Sequence, residues 1–484
     1  MKSYIGMNKW KYILVVLLAL SCNTRLTKKG EIIGDRSHSK QVGHLDYWLT
    51  TGDQRVLFEK QNQINFYNNT FNNYSSIEID TNSTYQKLDG FGYTLTGGSA
   101  ALIHKMTAFQ KKALLHELFS CENNRLCISY LRISMGASDL DEKVFSYDDI
   151  DVNGEDMDLS EFSLSRDTLA LLPVLKEILK INPTIMIMAT PWSAPLWMKS
   201  NKNSVGGELL PKYYDVYSKY MVRYIQEMKK QGITIDAVTV QNEPHHGENN
   251  PSMLMEATQQ NDFVKNNLGP AFKKSGLTTK IVIWDHNCDN PQYPISILND
   301  NETKPFVDGS AFHLYSGNIN ALSEVHNAHP DKAIYFTEQW TGSNGTFSGD
   351  LLWHLKNVVI GSLRNWSKVV LEWNLANDPA FRPHTPGGCT QCKGAVTIDG
   401  SVYKKNVSYY IMAHASSFVP PGSVRISSNE INNIHSVCLR TPSQRKILIA
   451  VNDSKQEELF NISFYGKKAL VSIPGESVAT YVWH

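Results

Sequence analysis

Between about residue 86 and residue 374 the chain alternates short β-rich runs with longer stretches whose apolar residues recur every three to four positions. Strand-length runs separated by helical periodicity build βα units, and successive βα units build a parallel sheet. Eight runs fit, at residues 87–94, 128–134, 184–190, 237–241, 280–285, 310–315, 333–338 and 368–374. Helical stretches such as 166–180 and 214–230 lie between most of them. Eight such units close into a ring, so the expected fold class is α/β, a (β/α)8 TIM barrel over residues 85–410. In that architecture ligands bind at the carboxyl ends of the strands.

The flanks read differently. Past about residue 420 the strand-like runs 446–452, 459–465 and 478–483 follow one another with turn residues and no helix between them. Before the barrel, 46–58 and 76–80 are strand-like as well. An accessory antiparallel β-sandwich built from both chain ends is expected, from residues 45–84 and 411–484. With 484 residues, 42% hydrophobic and 19% charged, the chain has material for a large core and that appendage. Lys+Arg and Asp+Glu both number 47, so no net field draws it to nucleic acid or to an anionic membrane surface.

Lys2, Lys9 and Lys11 precede an apolar run over 12–20 that is too short to span a bilayer and suits the core of a secretory signal. The run ends at Leu20-Ser21-Cys22, which resembles a bacterial lipoprotein processing site; an ordinary signal peptide with an incidental cysteine is the alternative. Residues 1–21 then form a signal peptide, Cys22 carries the lipid, and 22–44 is a tether through which alone the protein meets a membrane. The expected location is outside the cytoplasm, in a bacterial periplasm or on the outer membrane or cell surface. The remaining cysteines of the seven are too few and scattered for a disulfide framework. Cys389-Thr390-Gln391-Cys392 is a lone CxxC with no second pair to complete a zinc site, so it is a loop disulfide or two free thiols.

Polar and aromatic residues gather where the runs end: Arg132, Trp192, Asn242 with Glu243, Asp285, His313 with Tyr315, Glu338, and Glu372 with Trp373. Pro244 cannot continue a ladder, so the fourth strand stops at Glu243. Glu338 closes the seventh run three βα units later, at roughly 30 residues per unit. Two glutamates therefore face one pocket. Glycoside hydrolysis needs such a pair, one carboxyl to protonate the leaving oxygen and one carboxylate to support an oxocarbenium-like transition state. Two carboxylates held close do not both ionise readily. Asn242 is placed to bond a sugar 2-hydroxyl, and Arg132 and Tyr315 to hold Glu338 ionised, which makes Glu338 the nucleophile and Glu243 the general acid/base. His313 orients its neighbours by hydrogen bonding, and Arg132, Tyr315 and His313 are also counted among the substrate-binding residues. Trp192, Trp340 and Trp373 are placed to stack on sugar faces, whereas Trp353 and Trp366 fall in helical stretches and belong to the core. His245 and His246 are adjacent and point apart, so they read as loop residues, not metal ligands. Asp285 and Glu372 are rival nucleophiles by position.

The segments Gly90-Phe91-Gly92, Leu131-Arg132-Ile133-Ser134, Pro191-Trp192-Ser193-Ala194-Pro195-Leu196-Trp197-Met198, Gln241-Asn242-Glu243-Pro244, Phe336-Thr337-Glu338 and Trp373-Asn374-Leu375 together resemble the glucosylceramidase family, glycoside hydrolase family thirty. The resemblance runs from about residue 85 to the C-terminus. It implies a retaining β-glycosidase barrel fused to a β-sandwich, acting without a cofactor or metal. It puts Glu243 at the acid/base position, Glu338 at the nucleophile, and Asn242, Trp192 and Trp373 where the family holds glucose. One segment departs. Lipid-cleaving members carry Gly-Phe-Gly-Gly-Ala-Met-Thr-Asp, and this chain has Gly97 in place of that Asp. Taken as a lost sugar-gripping carboxylate, the change weakens exo-type recognition and opens the pocket to a longer chain. The variant resembles the bacterial endo-β-1,6-glucanase branch, and the polar loop 341–349 offers a ceramide tail little to land on.

The expected activity is hydrolysis of β-glucosidic bonds by double displacement through a covalent glycosyl-enzyme, on a β-1,6-glucan or a glucosylceramide-type β-glucoside. Oligosaccharides are then better substrates than a simple aryl glucoside. One alternative is a catalytically inactive surface glycan-binding lipoprotein, against which the intact glutamate pair stands. Another is a xylanase-like member, which needs a basic clamp for a uronate where only Arg382 lies close after the eighth run.

Overall fold

The computed structural model describes residues 39–484 apart from 69 and 71. The signal peptide expected over 1–21 and the anchor expected at Cys22 lie outside them. Among the described residues no helix is long and apolar enough to cross a membrane.

Eight parallel strands close into a barrel. In chain order they are Gly90–Leu95, Tyr130–Met135, Met186–Pro191, Ala237–Thr239, Lys280–Cys288, Val307–Gly317, Ala333–Glu338 and Ser367–Asn374, here called the first to eighth barrel strands. Each overlaps one expected run. Tyr130, Met188, Ala237, Val282, Ala311, Tyr335, Val369 and Leu371 fill the ring from within, so its middle is packed core and ligand space is left only at its ends. The helices cover the outside with apolar stripes. Leu171–Ile181 buries Leu171, Leu172, Val174, Leu175 and Ile178, a spacing of three and four that turns one face inward.

Alternation of side chains along the barrel strands is interrupted. Ala311 of the sixth strand pairs with Trp284 and Phe312 with His286, so Asp285 of the fifth strand is bulged out of register. Phe312 and His313 likewise pair with Phe336 and Glu338, skipping Thr337. A bulge breaks the period of two and re-aims the side chains beside it. Here it brings Asp285 and His286, and Thr337 and Glu338, to the same side of the wall.

The second module is a ten-stranded sheet drawn from both chain ends, whose outer strands Gln41–Thr51 and Ile64–Asn68 also pair with each other. Residues 41–44, expected in the tether, belong to its first strand. It is not wholly antiparallel: Glu458–Phe464 runs parallel to Ser76–Lys87. The strand Lys446–Asn452 reads as a continuous apolar run because both of its faces are covered. Ile447, Ile449 and Val451 join the barrel's core, while Leu448 and Ala450 fill the sandwich. The buried helix Val407–Ser416 rivets the modules, with His414 bonded through its ring nitrogens to Thr50 and Thr480 at 2.8 and 2.9 Å. Residue 410, the expected end of the barrel, falls inside this helix.

Of the two tryptophans expected in helical core, Trp366 packs half-buried against the barrel's core but outside a helix, and Trp353 is helical but exposed. Trp353 ends the helix Phe347–Trp353 and is 41% exposed. Trp366 sits in a turn at φ 75° and stacks on His326, with ring centroids 3.8 Å apart. Helical periodicity carried through 366 in the sequence, but the chain must reverse there to enter the eighth strand.

Candidate active site

The carboxyl ends of the barrel strands surround a pocket of about 540 Å³. Glu243, Glu338, Asn242, Trp192, Trp373, Tyr315 and Trp340 all line it. The fourth strand ends at Thr239, and the chain then climbs the rim. Asn242 N–H donates to Pro191 O of the third strand and Glu243 N–H to Asp285 O of the fifth, at 2.8 and 3.0 Å. These bonds hold Glu243 at φ 43°, a left-handed conformation uncommon outside glycine.

Arg132 and His313, expected to touch substrate, do not line the pocket. Both are fully buried behind it. Arg132 donates to Glu338 Oε2 at 2.5 Å, Asn242 Oδ1 at 2.6 Å, Asp285 Oδ2 at 2.9 Å and Thr190 Oγ1 at 3.2 Å. Its guanidinium lies 4.8 Å from the ring centre of Trp192 and 5.8 Å from that of Trp373, and those rings stand 5.4 Å apart. One cation thus aligns a carboxylate, an amide and two aromatic faces. Tyr315 enters from the pocket mouth and donates its hydroxyl to Glu338 Oε1 at 2.9 Å.

His313 Nδ1 lies 3.1 Å from Glu243 Oε1 and 3.8 Å from Glu338 Oε1, so the two oxygens are no farther apart than those distances laid end to end. Its Nε2 faces Asp285 Oδ1 at 3.2 Å. Burial alone would lower the His313 pKa, but Glu338, Asp285 and Glu243 push it up to about 9. Burial would also raise Glu243, yet His286 and His313, the second through a hydrogen bond, outweigh it and hold Glu243 below the usual carboxylate range. Glu338 is pushed up by burial and by repulsion from Glu243, against the pull of His313 and Arg132. The site therefore keeps a proton on His313, one hydrogen bond from Glu243, and the acids titrate as a unit.

Neither rival carboxylate reaches the pocket. Asp285 is fully buried, held below its ordinary range against the cost of burial by Arg132, His313 and Thr337. Glu372 is 1% exposed and bonded to His354 Nδ1 at 2.8 Å.

Several features of the site went unseen in the sequence or were left open there. Asp139, on the loop after the second strand, is a buried wall residue whose carboxyl is raised to about 7, chiefly by burial, with repulsion from Glu338 and Glu243 adding to it. Gly97, by contrast, does not line the pocket, and a Cβ built there would lie 1.7 Å from Asp141 Oδ1. The space that a side chain at 97 would take is filled by Asp141, on the loop after the second strand. Asp139 is a pocket-wall carboxylate beside Glu243, Glu338 and Glu248, and its only signal was its place just beyond the second strand. His286 also lines the pocket, its buried Nδ1 3.6 Å from Glu243 Oε1 and without a hydrogen bond. Lastly, Cys389 and Cys392 form a disulfide in the wall, and Cys121 and Cys127 form another that was not anticipated. Of the adjacent histidines, His246 lines the pocket while His245 packs edge-on against Trp284 and Tyr293.

Among the described residues one trio, Glu243, His286 and His313, brings metal-capable atoms within 4.8 Å of one another. That is wide for a tetrahedral ion, whose ligand atoms stand about 3.3 Å apart. Both His313 ring nitrogens already face carboxylates. Within the trio only Glu243 and His313 share a hydrogen bond.

Comparison with known proteins agrees with this architecture. The family model described as "Glycosyl hydrolase family 30 TIM-barrel domain" matches residues 88–419, and "Glycosyl hydrolase family 30 beta sandwich domain" matches 422–481. The chain is 31% identical to endo-1,6-beta-D-glucanase neg1 of Aspergillus fumigatus, over 83% of this chain and 86% of that protein. It is 27% identical to the lysosomal acid glucosylceramidase of Mus musculus, over 84% and 83%. Among solved structures it resembles the endo-beta1,6-glucanase BT3312, at 34% identity and a TM-score of 0.84, over 91% of this chain and 99% of that one. A closed barrel with a paired-glutamate pocket, a sandwich from both chain ends, and family matches across both modules lead to one conclusion: the chain belongs to glycosyl hydrolase family 30 and is a glycoside hydrolase.

Proposed function

We propose that this enzyme cleaves β-1,6-linked glucan by a retaining double displacement, with Glu338 as nucleophile and Glu243 as general acid/base. The carrying observation is the two buried glutamates bridged by one imidazole across a single pocket. Their separation is bounded near the lower edge of the roughly 6.5–9.5 Å of inverting enzymes and admits the roughly 5–5.5 Å of retaining ones.

Glu338 accepts from Arg132 and Tyr315, the environment of a carboxylate that must be ionised to attack the anomeric carbon. Glu243 needs a proton, and His313 holds one across a 3.1 Å hydrogen bond. A bound sugar excludes water, which favours the neutral acid–imidazole pair over the ion pair and moves that proton to Glu243. Glu243 then protonates the leaving oxygen as Glu338 forms the glycosyl ester. In the second half it takes a proton from the incoming water, which attacks the same face and restores the β configuration. Asn242 and Asp139 bond the sugar hydroxyls, and Trp192, Trp340 and Trp373 supply its apolar walls.

Glucan is favoured over glucosylceramide by the two relatives of 34% identity, both named endo-1,6-β-glucanases, where a putative glucosylceramidase stands at 31%. It is also favoured by the polar pocket rim, which includes His246, Asn249, His286 and Gln391. The deciding assay sets a β-1,6-glucan beside glucosylceramide and follows products by chromatography and NMR. Short β-1,6 oligosaccharides, β-configured before mutarotation, are expected. Faster release of glucose from glucosylceramide, or α-configured product at early times, overturns the reading.

We also propose that the protein is exported and held to a membrane through Cys22. Two disulfides among the described residues suit an oxidising compartment. Metabolic labelling with a palmitate analogue that persists in Cys22→Ser would refute the anchor.

A further inference from the structure

The CxxC loop is the pocket feature that the reaction leaves unused. Its peptide groups tie three other strand-end loops together. Cys389 N–H donates to Asp139 Oδ2 at 3.1 Å, and Thr385 N–H to Asp139 O at 2.8 Å, from the loop after the second strand. Asn250, on the loop that follows Glu243, donates to Pro386 O at 2.7 Å. Gly342 pairs with Cys392 and Thr341 with Lys393, which binds the segment just beyond Glu338. Gly388 has no room for a side chain, since a Cβ there would lie 2.4 Å from Asp139 O. The sulfurs back the pocket's aromatic wall: Cys392 is in one cluster with Leu140, Trp192 and Trp373, against which Trp340 and Cys389 rest.

We propose that the Cys389–Cys392 disulfide is a positioning element of the sugar-binding pocket, fixing the loop whose Cys389 amide aims the Asp139 carboxylate and backing the tryptophan faces. A loop of this length, held to its neighbours by a few peptide hydrogen bonds, has many conformers once the bridge opens, and only the closed one offers that amide to Asp139. Glu243 and Glu338 are set by Arg132, His313 and Tyr315 on other strands. Opening the bridge therefore weakens substrate binding and leaves the chemistry in place. The inference rests on the glucanase reading for its assay substrate alone.

The test treats the full-length enzyme with dithiothreitol, which delivers two electrons to the bridge and becomes its own cyclic disulfide. The Cys121→Ser/Cys127→Ser variant serves as background, because that second bridge precedes the second strand, at the end of the barrel remote from the pocket. On β-1,6-glucan, reduction should raise KM about tenfold with kcat changed less than about threefold, and reoxidation should restore it. Cys389→Ser/Cys392→Ser should show the raised KM without any reductant. In Asp139→Ala, reduction should move KM several-fold less than in the parent, since the acceptor that the Cys389 amide aims is gone and only the backing of the tryptophan faces is left to lose. Hydrogen exchange should show amides of 385–393 and 341–343 deprotecting on reduction while the barrel strands do not. An unchanged KM together with unchanged exchange in the reduced enzyme overturns the proposal. If the oxidised enzyme does not cleave glucan, the glucanase reading fails, and exchange in the two loops still decides the role of the bridge.

Discussion

Replacing Arg132 with lysine isolates what the buried guanidinium does. Arginine serves four acceptors at once: Glu338, Asn242, Asp285 and Thr190. A lysine ammonium keeps the charge, but as a point it cannot span that fork. A hydrogen bond to a charged group contributes roughly 1.5–3 kcal/mol, and lysine keeps one of the two carboxylate bonds at best. With Asn242 and the other carboxylate left short of a donor in a buried site, the folded state should lose about 3–5 kcal/mol. Catalysis should suffer separately. The Asn242 amide is no longer aimed, and the cation that lowers Glu338 sits farther from it. A drop of about 10²-fold in kcat/KM is expected, near 2.7 kcal/mol of transition-state stabilisation. The sign of the pH effect follows from the same contact. Weakening a cation that pulls the nucleophile's pKa down lets that pKa rise, so the acid limb of kcat/KM moves to higher pH. The assay is a pH series of kcat/KM on β-1,6-glucan, with denaturant unfolding run in parallel. Wild-type kcat/KM with an unmoved acid limb in Arg132→Lys would refute the argument, whatever the stability.

Other outcomes follow from the same geometry. Glu243→Ala should lose the basic limb of the pH profile and regain turnover with azide, which needs no base to attack the glycosyl ester; a basic limb that survives shows another group titrating there. Glu338→Gln should fold normally and lose several kcal/mol of transition-state stabilisation, and wild-type turnover would remove it as the nucleophile. Asp167, buried under the Tyr147 hydroxyl at 2.7 Å, has its pKa raised to about 7, chiefly by burial. Between the unfolded value near 4 and that folded value the native state holds the extra proton, so stability falls as pH rises through this window. Asp167→Asn keeps the acceptor and should flatten the fall by up to ~2.7 kcal/mol, measured by chemical unfolding at pH 5 and pH 8. An unchanged slope would mean that Asp167 stays ionised.

Much of this molecule was written in local periodicity. The eight barrel strands show in the sequence because each is a short apolar run between helical stripes, and such patterns are properties of neighbouring residues. Glu243 and Glu338 were legible for the same reason: Pro244 stops one strand and the seventh run ends on the other. What required the folded chain was everything set by register between distant segments. The bulges at Asp285 and Thr337 arise from how three barrel strands align, and they bring side chains to the pocket wall that a period of two would turn away. Burial of Arg132 and His313 behind the glutamates, instead of against the sugar, follows from ring closure. Asp139, and not the residue at 97, faces the pocket because the loop after the second strand folds over the rim toward Cys389, which is 250 positions away in the chain. No spacing along a sequence encodes contacts of that range; barrel closure makes them, once the strands have taken their places.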